Sequence, residues 1–455
     1  MHGSGPAKHG VRTLAEAEGY LEGLIDVEAL RDQRSARLDL AAIRELLRRC
    51  GHPERALRIL HVAGSKGKGS TALFAEGLLA ALGARVGTFT SPHLESWVER
   101  FRIDGQPVDG LVLAEAVEAL RPHVDALRAG AGAAPSFFDA TTAAALLLFD
   151  RFAVDWAILE VGLGGRLDST NAVLPKVCCI TSIELEHTEL LGDDLESIAA
   201  EKAGILKPSV PAVVGALPPE ALEVVRHRAR ELGAPLEVLG EDFEVTSEPV
   251  APESSVQGPR AIQFRAADGF EVAASLGVLG DQQAGNAALA IAAVRRLGAA
   301  NDDEVARAVR EALPRVALPG RMEMLGTSPW LLVDEAHTGA SARALARLLR
   351  SIEASPRHAV LSISVGKDLD AIFEALLPCF DRITLTRAEP HRSHAPGDLA
   401  KRLHDRGFAA THVEEDPARA LRLARASTPP SGLLCVSGSV YLAGRARSVF
   451  AEPLS

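Results

Sequence analysis

The densest chemistry in the chain lies in Arg58-Ile-Leu-His-Val-Ala-Gly-Ser-Lys-Gly-Lys-Gly-Ser-Thr71. Ile59, Leu60 and Val62 predict a short buried strand, the glycines a loop, and Ser70 onward a helix. A loop of this kind turns unpaired backbone N–H groups into one concavity at a helix N-terminus, where a polyphosphate binds well. Lys68 reaches the outer phosphates as a point charge, and the Ser70 hydroxyl is placed to hold Mg²⁺. The loop is shorter than the general G-x-x-x-x-G-K-[ST] form and carries Gly69 before the serine. A flexible turn would not need strand, loop and helix in that order, so ATP is the expected ligand.

Further candidates end other apolar runs. Glu160, in Leu159-Glu-Val-Gly-Leu-Gly-Gly-Arg-Leu-Asp-Ser-Thr-Asn171, follows a strand and emerges at the carboxyl edge of a sheet, where α/β proteins bind ligands. One carboxylate and the Ser70 hydroxyl suit Mg²⁺, which takes few, hard oxygen ligands; the alternative is a cap on the glycine turn. His187, in Ser182-Ile-Glu-Leu-Glu-His187, lies beyond another strand and reads as a further metal ligand or as a structural histidine. Lys202, inside a helix, reads on sequence physics alone as a solvated lysine. Arg321 is a γ-phosphate contact from a second unit or an ordinary surface arginine. Asp334 and His337 follow a strand of that unit and read as site residues or as a polar turn.

The elements that must position these residues alternate. Residues 11–56 read as helical from the spacing of Leu38, Leu40, Ile43, Leu46 and Leu47. Strands are expected over 59–62, 86–90, 157–161, 177–183 and 212–214, with helices over 71–82, 141–152 and 195–205 between them. This is the signature of an α/β fold with a mostly parallel sheet covered on both faces. Residues 131–135 read as a loop. Antiparallel strands around Phe243 and Ile262 flank a polar Pro/Ser/Gly-rich stretch, and helices over 283–297 and 303–313 follow. The expected division is a P-loop ATPase-like domain over 1–314, a linker over 315–320 and a smaller Rossmann-like α/β domain over 321–455. The last has strands over 330–334, 359–364, 383–386 and 433–437 and a first helix over 341–352. It lacks G-x-G-x-x-G, so nothing marks it as a dinucleotide binder.

Composition narrows the partners. At 455 residues two or three domains are expected. Hydrophobic content of 47% with 24% charged residues fits a globular protein. A net charge of −11 argues against nucleic acid or an anionic membrane as the main partner. The five scattered cysteines fit buried thiols better than disulfides or zinc. Residues 1–10 lack the apolar core of a signal peptide, and no apolar run is long enough to span a bilayer, so the cytoplasm is expected.

Taken in order, the motifs resemble the folylpolyglutamate synthase/dihydrofolate synthase family of the Mur ligase superfamily. They are His61-Val-Ala-Gly-Ser-Lys-Gly-Lys-Gly-Ser70, Thr90-Ser-Pro-His-Leu94, Glu160-Val-Gly-Leu-Gly-Gly-Arg-Leu-Asp168 and Glu201-Lys-Ala-Gly-Ile205. Gly280-Asp-Gln-Gln-Ala-Gly-Asn286, Pro319-Gly-Arg321, Asp334 with His337, and Gly438-Ser-Val-Tyr-Leu442 complete the set. Each segment is weak to moderate alone; the ordered set is specific and covers the chain from about residue 58 onward.

The resemblance implies an ATP-dependent ligase that activates a pterin or folate carboxylate as an acyl phosphate and couples it to L-glutamate. It implies ATP contacts from Gly64, Ser65, Lys66, Gly67, Lys68, Gly69, Ser70, Thr71, Asn286, Arg321, Asp334 and His337. It implies Mg²⁺ at Ser70, Glu160, His187 and Lys202, the last as a carbamate, and a monovalent cation such as K⁺. Lys68, Lys202, His187, Asp334 and His337 take the catalytic roles, Ser91, Pro92 and His93 the folate side, and the state is a monomer.

Departures are visible. Lys66 replaces an asparagine, and Glu186 an aspartate. Asp334-Glu-Ala-His-Thr-Gly339 stands where relatives usually have Asp-Gly-Ala-His-Asn-Pro, and Ser364-Val-Gly-Lys-Asp368 matches only loosely. The rival readings are a Mur-type ligase for another acid and an ATP-binding homologue that has lost ligation.

Overall fold

The computed structural model describes residues 11–30, 39–130, 132–249, 260–390, 392–409 and 411–451. The expectations for residues 1–10, and for most of the polar stretch before residue 260, lie outside these.

The first sheet has eight strands: β1 (Ile59–Ala63), β2 (Val86–Phe89), β3 (Phe101–Ile103), β4 (Gln106–Pro107), β5 (Trp156–Glu160), β6 (Val177–Ile180), β7 (Ala212–Val214) and β8 (Leu236–Val238). Their order is β4-β3-β2-β5-β1-β6-β7-β8. From β2 to β8 every pairing is parallel, while β3 and β4 add an antiparallel edge. All residues of β1, β5 and β6 are buried, which explains why these strands are unbroken apolar runs rather than alternating ones. β1 sits between β5 and β6, so the loops after all three open at one edge. That edge is the switch point where an open α/β sheet binds its ligand.

One face of the sheet is covered by the helices Lys68–Ala81 and Gln282–Leu297, around Phe74, Leu78, Ile291 and Val294. The other carries Phe137–Arg151 and Gly110–Ala129, around Phe149, Leu148 and Val117. Phe137–Arg151 begins four residues before its expected start because Ser136 and Asp139 form a reciprocal capping box. β6 is shorter than expected: beyond Ile180 the chain leaves the ladder to bond the loop after β1. The antiparallel strands β9 (Phe243–Pro249), β10 (Arg260–Ala266) and β11 (Glu271–Leu276) form a separate small sheet. Phe243, Phe264 and Phe270 from it join the core under the first sheet.

A six-stranded sheet follows, built from β12 (Glu323–Thr327), β13 (Trp330–Val333), β14 (Arg357–Leu361), β15 (Arg382–Leu385), β16 (Thr411–Val413) and β17 (Leu433–Ser437). Its order is β12-β13-β17-β14-β15-β16, parallel except at β12. The helix Gly339–Ser351 follows β13 directly, so residues 334–338 lie at the carboxyl edge of this sheet, as Gly64–Gly67 do at the other. No described helix is long and apolar enough to cross a membrane.

Candidate active site

The loop after β1 is held by the end of β6. Ser65 N donates to the Ser182 carbonyl at 2.8 Å and Lys66 N to Ser182 Oγ at 2.9 Å. Glu184 N donates to Ser65 Oγ at 3.0 Å. The hydroxyls of Thr181 and Ser182 donate back to the Lys66 carbonyl. Sequence reading passed over Thr181 and Ser182, and the only available signal was two hydroxyl residues ending an apolar run. Lys68, at the start of its helix, curls over the loop and donates to the carbonyls of Gly64 and Ser65 at 2.8 and 3.3 Å. Its ammonium therefore stands over the concavity before any ligand arrives.

Gly69 explains its own presence. A Cβ there would lie 3.2 Å from Arg321 Nη2 and 3.3 Å from Glu160 Oε2. A side chain there would have to push the ends of both groups aside by a few tenths of an ångström, so glycine lets the helix start close to them. Glu160 is 3% exposed and accepts from Ser91 N at 2.9 Å. Burial pushes its carboxyl up, and the charges of Lys68 and Arg321 pull the other way. The structure thus brings Lys68, Glu160 and Arg321 together from three separate parts of the chain. Arg321 is also 3.2 Å from Glu335.

The other candidates divide into those that reach the same space and those that do not. A cavity of ≈ 630 Å³ is lined by residues 65–70, Ser91, Pro92, Glu160, His187, Asn286, Arg321, Asp334 and His337. Its wall carries five carboxylates, those of Glu160, Glu184, Glu186, Asp334 and Glu335. Asn286 donates to Gln283 Oε1 at 2.9 Å. Asp334 is buried and accepts from Met322 N and Ala336 N at 2.8 and 2.9 Å. Burial raises its carboxyl to about 7. His337 Nδ1 is 2.8 Å from the Glu335 carbonyl, which only accepts, so that nitrogen carries the proton and Nε2 is left as an acceptor.

His93 is not on this wall. Its Nδ1 accepts from Arg100 Nε at 2.9 Å, and its ring packs 4.9 Å from that of Trp97, with Tyr441 beyond. Burial lowers it to about 4, so it is neutral. Lys202 corrects the reading of a solvated lysine: it is 1% exposed, and its Nζ donates to Glu186 Oε1 at 2.9 Å. Burial lowers it to about 8 against the pull of Glu186. Burial alone would raise Glu186, but the ammonium groups of Lys202, Lys68 and Lys66 outweigh it and hold the carboxylate ionised. Lys66 Nζ lies 3.9 Å from the second Glu186 oxygen, so one carboxylate bridges two lysines.

The donor chemistry fits a hard cation. Glu160 and the Ser70 hydroxyl supply oxygen on one wall, and Mg²⁺ needs only one or two protein oxygens beside water and phosphate. Among the described residues no three His, Cys, Asp or Glu side chains form a metal cage. His187 lines the cavity with its side chain 48% exposed, and burial of the rest lowers its imidazole.

A family model described as Mur ligase, glutamate ligase domain matches residues 320–440. The Bacillus subtilis dihydrofolate synthase/folylpolyglutamate synthase is 33% identical over 405 residues, covering 88% of this chain and 92% of the relative. The Mycobacterium tuberculosis folylpolyglutamate synthase, solved with ADP and AMPPCP, superposes with a TM-score of 0.82 at 33% identity, over 95% of this chain and 99% of that one. The Yersinia pestis bifunctional folylpolyglutamate synthase/dihydrofolate synthase, solved with AMPPNP and a Mn ion, gives 0.81 at 29% identity over 98% and 100%. With a third of its residues shared along nearly its whole length, the chain belongs to the folylpolyglutamate synthase/dihydrofolate synthase family of Mur ligases.

Proposed function

We propose that this protein joins L-glutamate to dihydropteroate, to folyl-glutamates or to both, in an ATP-dependent ligation that releases ADP and phosphate. The observation that carries this reading is the single cavity reached by the phosphate loop, Glu160, Arg321, Asp334 and His337. Two relatives solved with adenine nucleotides share the fold.

The acid substrate's carboxylate attacks the γ-phosphorus of ATP, and the bond to the bridging oxygen of ADP breaks. The acyl phosphate then meets the glutamate amine, which attacks the acyl carbon, expels phosphate and gives up its proton. Neither step needs a protein nucleophile; both need alignment and charge neutralisation. In this reading the loop from Gly64 to Thr71 cradles the phosphates, and Lys68 and Arg321 balance the charge that develops on the γ-phosphoryl oxygens. Asp334, His337 and Asn286 hold the nucleoside, and Ser91, Pro92 and His93 shape the acid's side. A divalent ion, Mg²⁺ in this reading, would be held by Ser70, Glu160, His187 and a carbamylated Lys202, and would neutralise phosphate charge there. Lys202 suits that modification because its amine, lowered to about 8, is more readily neutral than an exposed lysine.

The reading also takes residues 1–314 and 321–455 as the two domains, with 315–320 as the linker between them. It includes a monovalent cation such as K⁺, a monomeric state and a cytoplasmic setting. In the altered loop at 334–339, Thr338 caps the following helix by accepting from Ser341 N in a capping box, so the start of the helix is kept without the asparagine and proline of the family pattern. The test is ADP release with ATP, Mg²⁺ and L-glutamate, with dihydropteroate and tetrahydrofolate offered separately and products weighed by mass spectrometry. Glutamate-dependent turnover with dihydropteroate alone identifies a dihydrofolate synthase, and turnover with both identifies a bifunctional enzyme. Silence with both removes the folate assignment.

A further inference from the structure

Two arginines on the wall of the cavity have no part in the chemistry above. Arg343 and Arg347 stand one turn apart on the helix Gly339–Ser351, both exposed, while Ala342, Leu345, Ala346 and Leu349 bury its other side. Both line the same cavity as the phosphate loop. The cavity's other three cations are already engaged: Lys66 lies beside Glu186, Lys68 is on loop carbonyls and Arg321 is on Glu335. Among the described residues, neither Arg343 nor Arg347 has a carboxylate within ion-pair distance. Without this pair the wall offers a nucleoside triphosphate only Lys66, Lys68 and Arg321, each already held by a carboxylate or a carbonyl; with it two cations free of ion pairs are added.

The neighbouring loop makes room for one of them. A Cβ at position 339 would stand 3.3 Å from Arg343 Nη1 and 2.7 Å from Ala371 Cβ. Glycine, where the family pattern has proline, lets the Arg343 guanidinium fold back over the first turn of its own helix and lets the helix Leu369–Leu376 pack close. Thr338 keeps the helix start intact, so the change at 339 alters side-chain space and leaves the element in place.

We propose that Arg343 and Arg347 are nucleotide-binding residues whose guanidinium groups take phosphate oxygens of ATP, with Gly339 as the residue that seats Arg343. The proposal rests on the ATP-ligase reading and extends its site onto the helix of the second unit. Phosphate is the anion that the facing wall is built to receive, and a guanidinium meets it in a forked geometry that an ammonium lacks.

The experiment is calorimetric titration of ADP into Arg343→Ala, Arg347→Ala and the double variant, with steady-state KM measured for ATP and for glutamate. Each substitution is expected to weaken ADP and raise KM for ATP roughly three- to tenfold, leaving KM for glutamate unchanged. Added salt should weaken ADP binding less steeply in the double variant. Unchanged ADP affinity in the double variant, or a rise confined to glutamate, overturns the proposal. Gly339→Ala should weaken ADP in the wild-type background and not in Arg343→Ala; equal weakening in both removes Gly339 from it. Failure of the wild-type protein to bind ADP, or wild-type ADP affinity in Lys68→Ala, would instead sink the ATP reading itself.

Discussion

The two walls of the cavity are made differently. The wall after β1 and β6 is a backbone construction, with N–H and carbonyl groups of residues 65, 66 and 184 tied to Ser65, Thr181 and Ser182. The wall from the second sheet is a set of side chains projected from one strand end and one helix, namely Asp334, His337, Arg343 and Arg347. Backbone groups are fixed by the sheet and cost no rotamer entropy when a ligand arrives, whereas exposed arginines lose rotamer freedom on binding. The first wall is therefore suited to holding the reacting phosphates in one geometry. The second is suited to tuning affinity.

That contrast can be broken experimentally. Lys68→Ala should cut kcat by about a thousandfold with the fold retained if, as proposed, its ammonium acts where charge develops; near-normal turnover would remove the loop from the chemistry. Glu160→Gln should raise the Mg²⁺ concentration needed for half-maximal activity by roughly 10- to 100-fold, and an unchanged titration would deny it a metal role. Ser182→Ala removes the acceptor for Lys66 N and a hydroxyl donor to the Lys66 carbonyl. It should cost about 1–2 kcal/mol in chemical denaturation and lower kcat as well as stability; a loss of stability alone would mean the clamp does not position the loop. On the other wall, Thr338→Ala should cost about 1 kcal/mol through the lost helix cap with little change in kcat.

A further expected effect is a pH slope. Asp334 keeps its proton in the folded chain up to about 7, whereas the unfolded chain loses it near the ordinary aspartate value. The folded state then binds more protons across that interval, so this group's contribution to stability is present below about pH 4 and is lost as pH rises through about 7. Melting temperatures at pH 4.5 and 7.5 should show a smaller decline in Asp334→Asn than in wild type. Equal declines would place the slope on other carboxyls.

Much of this was legible in the chain because it is periodic or local. β1, β5 and β6 stand out as apolar runs buried on both faces, and the glycines of the loop announce their turn without any partner. The short strands β3, β4, β8, β12 and β16 were not foreseen. Two to five residues at or next to a sheet edge leave no period to read, and β4 and most of β16 are exposed. Lys202 shows a different limit. Nothing in Ala199-Ala-Glu-Lys-Ala-Gly204 distinguishes a buried lysine from a solvated one, because its burial depends on Glu186 arriving from the end of another strand. Arg343 and Arg347 read as ordinary surface charges until the two sheets face one another. Thr181 and Ser182 were invisible for the same reason: their function is to bond a loop more than a hundred residues earlier in the chain.

The hydrogen bond from Ser91 N to Glu160 Oε2 joins the loop expected to meet the acid substrate to a carboxylate beside Lys68 and Arg321. On the proposed reading of the site, one oxygen is thereby shared between two binding events. If the acid shifts Ser91, it changes the charge density Glu160 presents on the nucleotide side, and a nucleotide that draws on Glu160 changes the hold on Ser91. Thermodynamic linkage makes such an effect symmetrical: whatever factor the acid imposes on the affinity for ATP, ATP must impose on the affinity for the acid. In that reading, any cooperativity between the two substrates passes through this one bond as well as through the pockets.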